Sequence, residues 1–458
     1  MASSAQQRIW LDEQIRFSKP DFPAVYNLPF PLIMRENMKS VSIIRLRRAL
    51  LAVIHKHKIF RTHIQNQVTE KGGIIEQCIN PMSYYSEDDL FSEQLCHNDE
   101  QVRHALIAEV KQQFFSLEDG RIIGCHILRR HSALNDKYLR DGDIIIINIH
   151  HVAFDGTSRS LFFRDLQLAY KNEETFLTTI NDNELQYIDY TIYEFILLTD
   201  TSPTSTINQA RDYWKLTLKD CIDKRLPLAT ISTKNVDTNS GGNNLSVTLP
   251  SDLSAALRSL ATSKNMTLFQ LIIGCYQLFL HKVTRQTDIC VGSALANRYR
   301  SELEQLIGMF VNVLPYRTII DNSQMTTVHD LLVGVQLLCL NVIQHSQLPF
   351  QDIVQLHRDS LHQYQSPFYQ TVFTFESYNF DAITCSFDEV ACKMLDLPVS
   401  VAKFDLVLAV RHNTTNDDFI CMWTYSTKLF DEATIQTFSD RFISLLTQVT
   451  DIQKQQQQ

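Results

Sequence analysis

The stretch HHVAFDG at residues 150–156 gathers the side chains in this chain best suited to moving a proton. Imidazole has an ordinary pKa of about 6.5, so a neutral ring can take a proton from an attacking amine or hydroxyl and pass it on. Successive side chains of a strand face opposite sides, so His150 and His151 are not expected to share a cavity. One should react and the other support it. Asp155 lies too far along for the same strand face, but a tight loop could fold its carboxylate back beneath an imidazole. Gly156 would let that loop turn with positive φ, or let a substrate pass close to the backbone. By itself, H-H-x-x-x-D-G names no reaction.

The elements that must position these residues are legible from periodicity. Four consecutive isoleucines, Ile144 to Ile147, read as a buried strand whose end carries the histidines. Other strands are predicted at 73–79 and 121–130, with a helix near 99–115 between them. The segment 40–60 places Ile43, Leu46, Leu50, Val53 and Ile54 on one helical face, with Ser40 or Ser42 as its cap. After Gly156 the spacing returns to helical. Helices are predicted at 183–198, 208–218, 251–263, 266–283 and 431–449, and strands at 245–249, 288–294, 310–317, 369–377, 404–412 and 419–426. The polar stretch 232–244 reads as a surface loop. This alternation predicts an α/β or α+β layered fold. One lobe is expected over 1–175 and a second over 176–450, with 451–458 as a Gln-rich tail or linker.

Composition narrows the function. A chain of 458 residues with 44% apolar content can bury a large core. A net charge of −9 with dispersed Lys and Arg offers no surface for tracking phosphates, so no nucleic acid partner is expected. No run reaches the roughly 18 apolar residues of a membrane span, and the first residues lack the features of a secretory signal. The ten cysteines form no C-x-x-C pair or zinc-like cluster. They read as core residues of a reduced, cytoplasmic protein, with no metal site. Neither a phosphate-binding G-x-x-x-x-G-K-[ST] loop nor a dinucleotide G-x-G-x-x-G is present. Trp10, Trp214 and Trp423 read as core or boundary aromatics.

HHVAFDG matches in full the HHxxxDG signature of the condensation domains of nonribosomal peptide synthetases, and further stretches resemble that family's motifs in the expected order. They are SAQQRIWLDEQ (4–14), HKHKIFRTHI (55–64), YIDYTIYE (187–194), IGMFVNVLPYR (307–317), HSQLPFQDIV (345–354), SPFYQTVFTFE (366–376) and AKFDLVL (402–408). The resemblance implies two lobes like chloramphenicol acetyltransferase, forming a V-shaped pseudo-dimer with a central tunnel. It implies an acyltransferase that makes an amide bond between two carrier-bound partners, a donor acyl or peptidyl thioester and an acceptor aminoacyl amine. The substrates would ride on phosphopantetheine arms, no cofactor would be bound directly, an adenylation domain would stand nearby, and the chain would act as a monomer.

By this resemblance His151 is the catalytic residue, serving as general base or positioning the amine. His150 and Gly156 organise the site, and Asp155 pairs with Arg61 to brace the loop. Asn312, Arg317 and Ser366 are candidates to line the tunnel. Two departures stand out: the second motif lacks its usual His-Glu pair, and Asn297 occupies a place where many relatives carry glycine. His150 argues against the heterocyclising relatives, which carry aspartate there, and Gly156-Thr157 argues against the epimerising ones, which follow the aspartate with Ser-Trp. Two other readings stay open: a stand-alone acyltransferase fed by coenzyme A, and a catalytically silent module that docks carriers.

Overall fold

The computed structural model describes residues 1–16, 24–34, 40–69, 72–85, 90–130, 133–134, 136–181, 183–221, 226–228, 241–320, 327–358, 368–378, 385–395, 397 and 401–455. The chain divides into two compact units. The first comprises Met1–Thr199, Ala296–Val311 and Asp381–Pro398; the second comprises Asp200–Leu295, Asn312–Phe380 and Val399–Gln458. The boundary expected near 175 therefore falls at Thr199, because the helix Tyr187–Leu198 belongs to the first unit and packs Tyr187 and Tyr190 on Phe310. Nor is the second lobe one continuous run.

In the first unit six strands form a sheet in the order Cys385–Phe387, Val390–Met394, Asn27–Met34, Ile144–His150, Ile123–Arg129, Phe91–Leu95. Its neighbours are antiparallel except for the last pair. The isoleucine strand is central and buried along its whole length, with Ile144 to Ile147 no more than 1% exposed. Burial of each isoleucine contributes roughly 1.5–3 kcal/mol, which holds the strand and its end in place. The helix Asp99–Lys111 covers the face that carries Ile144 and Ile146, packing Val102 and Ala105 against them. Asn98 caps it, accepting from the Gln101 N–H at 2.9 Å.

The strand Asn27–Met34 was hidden in the sequence by Pro29 and Pro31, which lack the N–H a ladder needs. Pairing with Val390–Met394 begins at Leu32, and Pro31 meets that side only through its carbonyl, which accepts from the Leu395 N–H at 2.9 Å, so the N–H that proline lacks is not called on there. The predicted helix at 40–60 runs Ile43–Lys56, buries all five anticipated apolar residues, and uses Ser42 as its cap.

The second unit builds its own six-stranded sheet, in the order Asn312–Ile319, Asp288–Leu295, Thr371–Tyr378, Leu406–Asn413, Phe419–Ser426, Gly242–Thr248. The strand Thr371–Tyr378 is parallel to both neighbours. Leu268–Thr284 opens with a reciprocal cap between Thr267 and Gln270 and packs Tyr276 and Phe279 on Trp423. Trp214 is also fully buried, its indole N–H donating to the His345 carbonyl at 2.9 Å. The layered α/β architecture is thus the one anticipated. Of the stretch expected to be a loop at 232–244, residues 232–240 lie outside the described residues, and Gly242 already begins an edge strand. The last helix extends to Gln455, so most of the expected tail is helical.

Candidate functional site

The isoleucine strand ends at His150, and His151–Ala153 form a single 3-10 turn. The two rings therefore diverge at a change of backbone conformation as well as by strand alternation. Backbone bonds fix the junction on both sides: the His150 N–H donates to the Ile122 carbonyl and the His151 N–H to the Tyr26 carbonyl, each at 2.8 Å.

His150 is 2% exposed. Its Nδ1 accepts from the Val152 N–H at 3.2 Å, so the ring proton sits on Nε2, which faces Glu13 Oε1 at 3.4 Å. Tyr26 and Phe115 pack against this ring at centroid distances of 6.1 and 5.8 Å. His151 is only partly buried. Its Nδ1 lies 2.7 Å from the Phe154 carbonyl oxygen. A carbonyl can only accept, so Nδ1 carries the proton and the lone pair of the neutral ring is on Nε2.

Next to Phe154, Asp155 is 1% exposed and heavily bonded. Oδ1 accepts from the Ser158 N–H at 2.9 Å and the Ser158 hydroxyl at 2.8 Å, and Oδ2 from the Phe310 N–H at 3.2 Å. Its cationic partner is Arg298, whose Nη2 lies 3.0 Å from Oδ1 and 3.2 Å from Oδ2. This corrects the expected pairing with Arg61. The Arg61 guanidinium instead donates to the Asn80 carbonyl at 2.5 Å, while the Asn80 N–H donates to the Arg61 carbonyl at 2.7 Å. Arg61 thus ties the base of the hairpin formed by Thr62–Thr69 and Gly72–Ile79.

Arg298 is itself held on several sides. Nη1 donates to the carbonyls of Leu303 and Leu306 at 2.5 and 2.7 Å, and the guanidinium carbon lies 4.0 Å from the centre of the Phe310 ring. The preceding residue, Asn297, has φ 53°, a left-handed conformation that favours glycine and that asparagine also adopts. The glycine expected at that place would adopt it as readily, but no sequence motif pointed to Arg298. Ser158 joins the same knot, accepting from the Gly308 N–H at 3.1 Å. A Cβ on Gly308 would collide with the Tyr187 ring, whose hydroxyl bonds the Met309 carbonyl.

Gly156 does not adopt positive φ, so the turn itself does not demand glycine. A Cβ there would meet nothing within 4 Å among the described residues. Asn312 and Arg317 lie in the second unit, and each is held by several hydrogen bonds. Asn312 donates to the carbonyls of Ser346 and Leu348 and accepts from the Phe350 N–H. Arg317 forms a two-pronged pair with Asp288 at 2.9 and 2.7 Å and donates to the carbonyls of Thr217 and Lys219. Ser366 lies outside the described residues. All ten cysteines are free and, apart from partly exposed Cys78, buried.

Comparison with known proteins places this geometry in context. A family model described as a condensation domain matches residues 1–458. Bacitracin synthase 3 of Bacillus licheniformis is 25% identical over 444 residues, covering 97% of this chain and 6% of its own length. The phosphinothricin tripeptide synthetase PhsC of Streptomyces viridochromogenes is 27% identical over 458 residues, covering 98% of this chain and 39% of its own length. The chain thus spans well under half the length of these relatives. Among solved structures, the condensation domain from the monacolin K polyketide synthase MokA superposes with a TM-score of 0.77 at 16% identity, covering 98% of this chain and 96% of that one. The X-domain from teicoplanin biosynthesis gives 0.76 at 22% identity, covering 98% and 94%.

Proposed function

Since the chain belongs to the condensation-domain family, we propose that it joins an acyl or peptidyl thioester on one carrier domain to the amine of an aminoacyl thioester on another. The amine nitrogen attacks the thioester carbon, the tetrahedral intermediate collapses, the C–S bond breaks, and the freed thiol stays on its phosphopantetheine arm. One proton must leave the nitrogen and one must reach the sulfur.

The observation that carries this reading is the bond from His151 Nδ1 to the Phe154 carbonyl, which leaves Nε2 as the basic nitrogen of a ring still open to solvent. Nε2 can take the proton from the amine and return it to the departing sulfur. Asp155 and Arg298 are positioning residues: they brace the loop whose Phe154 carbonyl orients His151. Gly156 leaves room beside that loop for a thioester arm. The chain carries no carrier motif of the L-G-G-x-S type, so the carriers are separate proteins or neighbouring domains.

The test is a reconstituted reaction with an acyl carrier and an aminoacyl carrier, following amide product by mass spectrometry. His151→Ala should lower turnover by about 100-fold or more. Unchanged turnover in that variant would leave only a docking role, and robust turnover with a coenzyme A thioester alone would replace the carrier-dependent reading.

A further inference from the structure

The stretch SAQQRIWLDEQ (4–14) folds within the helix Ser4–Arg16, which packs against the turn His151–Ala153. Two neighbouring carboxylates of that helix reach toward the histidine pair. Glu13 faces His150 directly. Asp12 reaches His151 through an intermediary, Tyr26.

Tyr26 stands immediately before the strand Asn27–Met34, and because Asn27 pairs with His150, its backbone lies beside His151. That register brings its carbonyl to the His151 N–H. The side chain is 8% exposed and meets both imidazoles: its ring centre is 6.1 Å from that of His150 and 6.4 Å from that of His151, the latter at an interplanar angle of 67°. An edge-on aromatic pair adds about 0.5–1.5 kcal/mol beyond its burial. At the far end of the ring the hydroxyl donates to Asp12 Oδ2 at 2.5 Å, the length of a charge-assisted bond. Held by its backbone at one end and by a carboxylate at the other, the phenol ring forms a fixed wall beside His151.

For the reaction proposed above, the aim of His151 Nε2 matters. The bond from Nδ1 to the Phe154 carbonyl selects the tautomer, but a carbonyl oxygen accepts over a broad range of angles, so that bond alone aims the ring loosely. A misplacement of about 1 Å can cost about 100-fold in rate. The Tyr26 ring blocks one direction in which the imidazole would otherwise swing. We propose that Tyr26, held by Asp12, is a positioning residue for His151 that keeps Nε2 directed at the acceptor amine; its place in the reaction rests on the function proposed above. Such a wall acts on orientation, so its loss lowers kcat and spares the binding of either carrier.

The test combines the reconstituted amide-forming reaction with the ring-nitrogen resonances of His151 in histidine-labelled full chain, identified by their loss in His151→Ala. Tyr26→Leu, which keeps the backbone bond and removes the wall, should lower kcat by at least about tenfold with KM for both carrier substrates within about twofold of wild type. Tyr26→Phe and Asp12→Leu each remove the hydroxyl bond and keep the ring, and both should lower kcat by about three- to tenfold. Asp12→Asn retains an acceptor for the hydroxyl and should stay within about twofold of wild type. The resonances should report the Nδ1–H tautomer in wild type and Asp12→Asn, and a mixture of tautomers in Tyr26→Leu. That readout needs no turnover: if His151→Ala makes amide as fast as wild type, the reaction proposed above falls, while the tautomer still decides whether Tyr26 orients the ring. Wild-type kcat in Tyr26→Leu, a loss confined to KM, or a tautomer unchanged in that variant would overturn the proposal. Should Tyr26→Leu fail to fold, equal kcat in Asp12→Leu and Asp12→Asn would overturn it instead.

Discussion

Removing Arg298 is the perturbation that most directly probes how the loop from His151 to Ser158 is held. Arg298→Ala would leave the Asp155 carboxylate, 1% exposed, with three donors and no cation among the described residues bonded to it. Deleting one partner of a buried ion pair costs about 3–5 kcal/mol. The remaining donors soften that charge, which argues for the lower end, but the Leu303 and Leu306 carbonyls also lose their partner and Phe310 its cation, at roughly 0.5–1.5 kcal/mol per hydrogen bond. About 4 kcal/mol is therefore expected. The loss should be local, so hydrogen exchange followed by mass spectrometry on peptides from 154–160 and 296–311 is the appropriate assay. Exchange governed by local opening should accelerate by roughly 100-fold or more, since each 1.4 kcal/mol is a factor of ten. A double-mutant cycle then separates partners: Arg298→Ala with Asp155→Ala should show coupling of about 2–3 kcal/mol, and Arg61→Ala with Asp155→Ala less than about 0.5 kcal/mol. Comparable coupling in the two cycles, or unaltered exchange in 296–311 after Arg298→Ala, would refute the reasoning.

Gly156→Ala should leave the melting temperature within about a degree of wild type, because the new methyl group meets open space; if a thioester arm passes there, kcat/KM for carrier-bound substrates should fall by at least about tenfold. Burial holds the His57 imidazole below its ordinary value, against the opposing effect of its hydrogen bond to the Asp165 carboxylate. The unfolded chain therefore takes up a proton below about pH 6.5 that the folded ring resists, and stability should decline as pH falls through that value. His345 and His357 are lowered the same way by burial, so the informative measurement is calorimetric melting from pH 7.5 to 5.5 of wild type against His57→Gln, which should lose less stability on acidification. Asp165 behaves as a second acid-labile group: burial pulls its carboxyl up, but hydrogen bonds and charge from His57 and Lys56 outweigh that and hold it well below the carboxylate range. Asp165→Asn should thus remove a loss of stability that sets in as pH falls below about 4. Ellman's reagent under native conditions should titrate one fast thiol per chain, and Cys78→Ser should remove it.

Sequence pattern revealed much of the scaffold because a continuous apolar run marks a strand buried on both faces, and spacings of 2 and 3.6 mark half-buried strands and helices. The isoleucine strand, the Ser42-capped helix and the strands of the second sheet are of this kind. Local pattern failed where tertiary context overrode it, as at Asn27–Met34, a paired strand despite its two prolines. The site was legible in part. HHVAFDG marks the segment proposed to react, but nothing local announces that Asp155 binds a residue 143 positions downstream. The pairing with Arg61 was what the family resemblance implied, and no local signal in the residues could have shown which cation is near. Asn297 offered a conformational hint that became readable only with its φ known.

The order in which the chain is made gives the two-unit division a further meaning. The segment Ala296–Val311 interrupts the second unit to complete the first, between two strands that pair with each other at Leu295 and Asn312. A nascent chain that has exposed only Met1–Thr199 has the segment His150–Gly156 but neither Arg298 nor the Phe310 amide that lock its loop. At synthesis rates of about 5–20 residues per second, that loop waits roughly 6–22 seconds between Thr199 and Val311 before it can close. The same interruption sets the unit of exchange for anyone grafting this lobe onto another: a cut at residue 199 carries the histidines and leaves their lock behind, so a working transplant must bring Ala296–Val311 and Asp381–Pro398 as well.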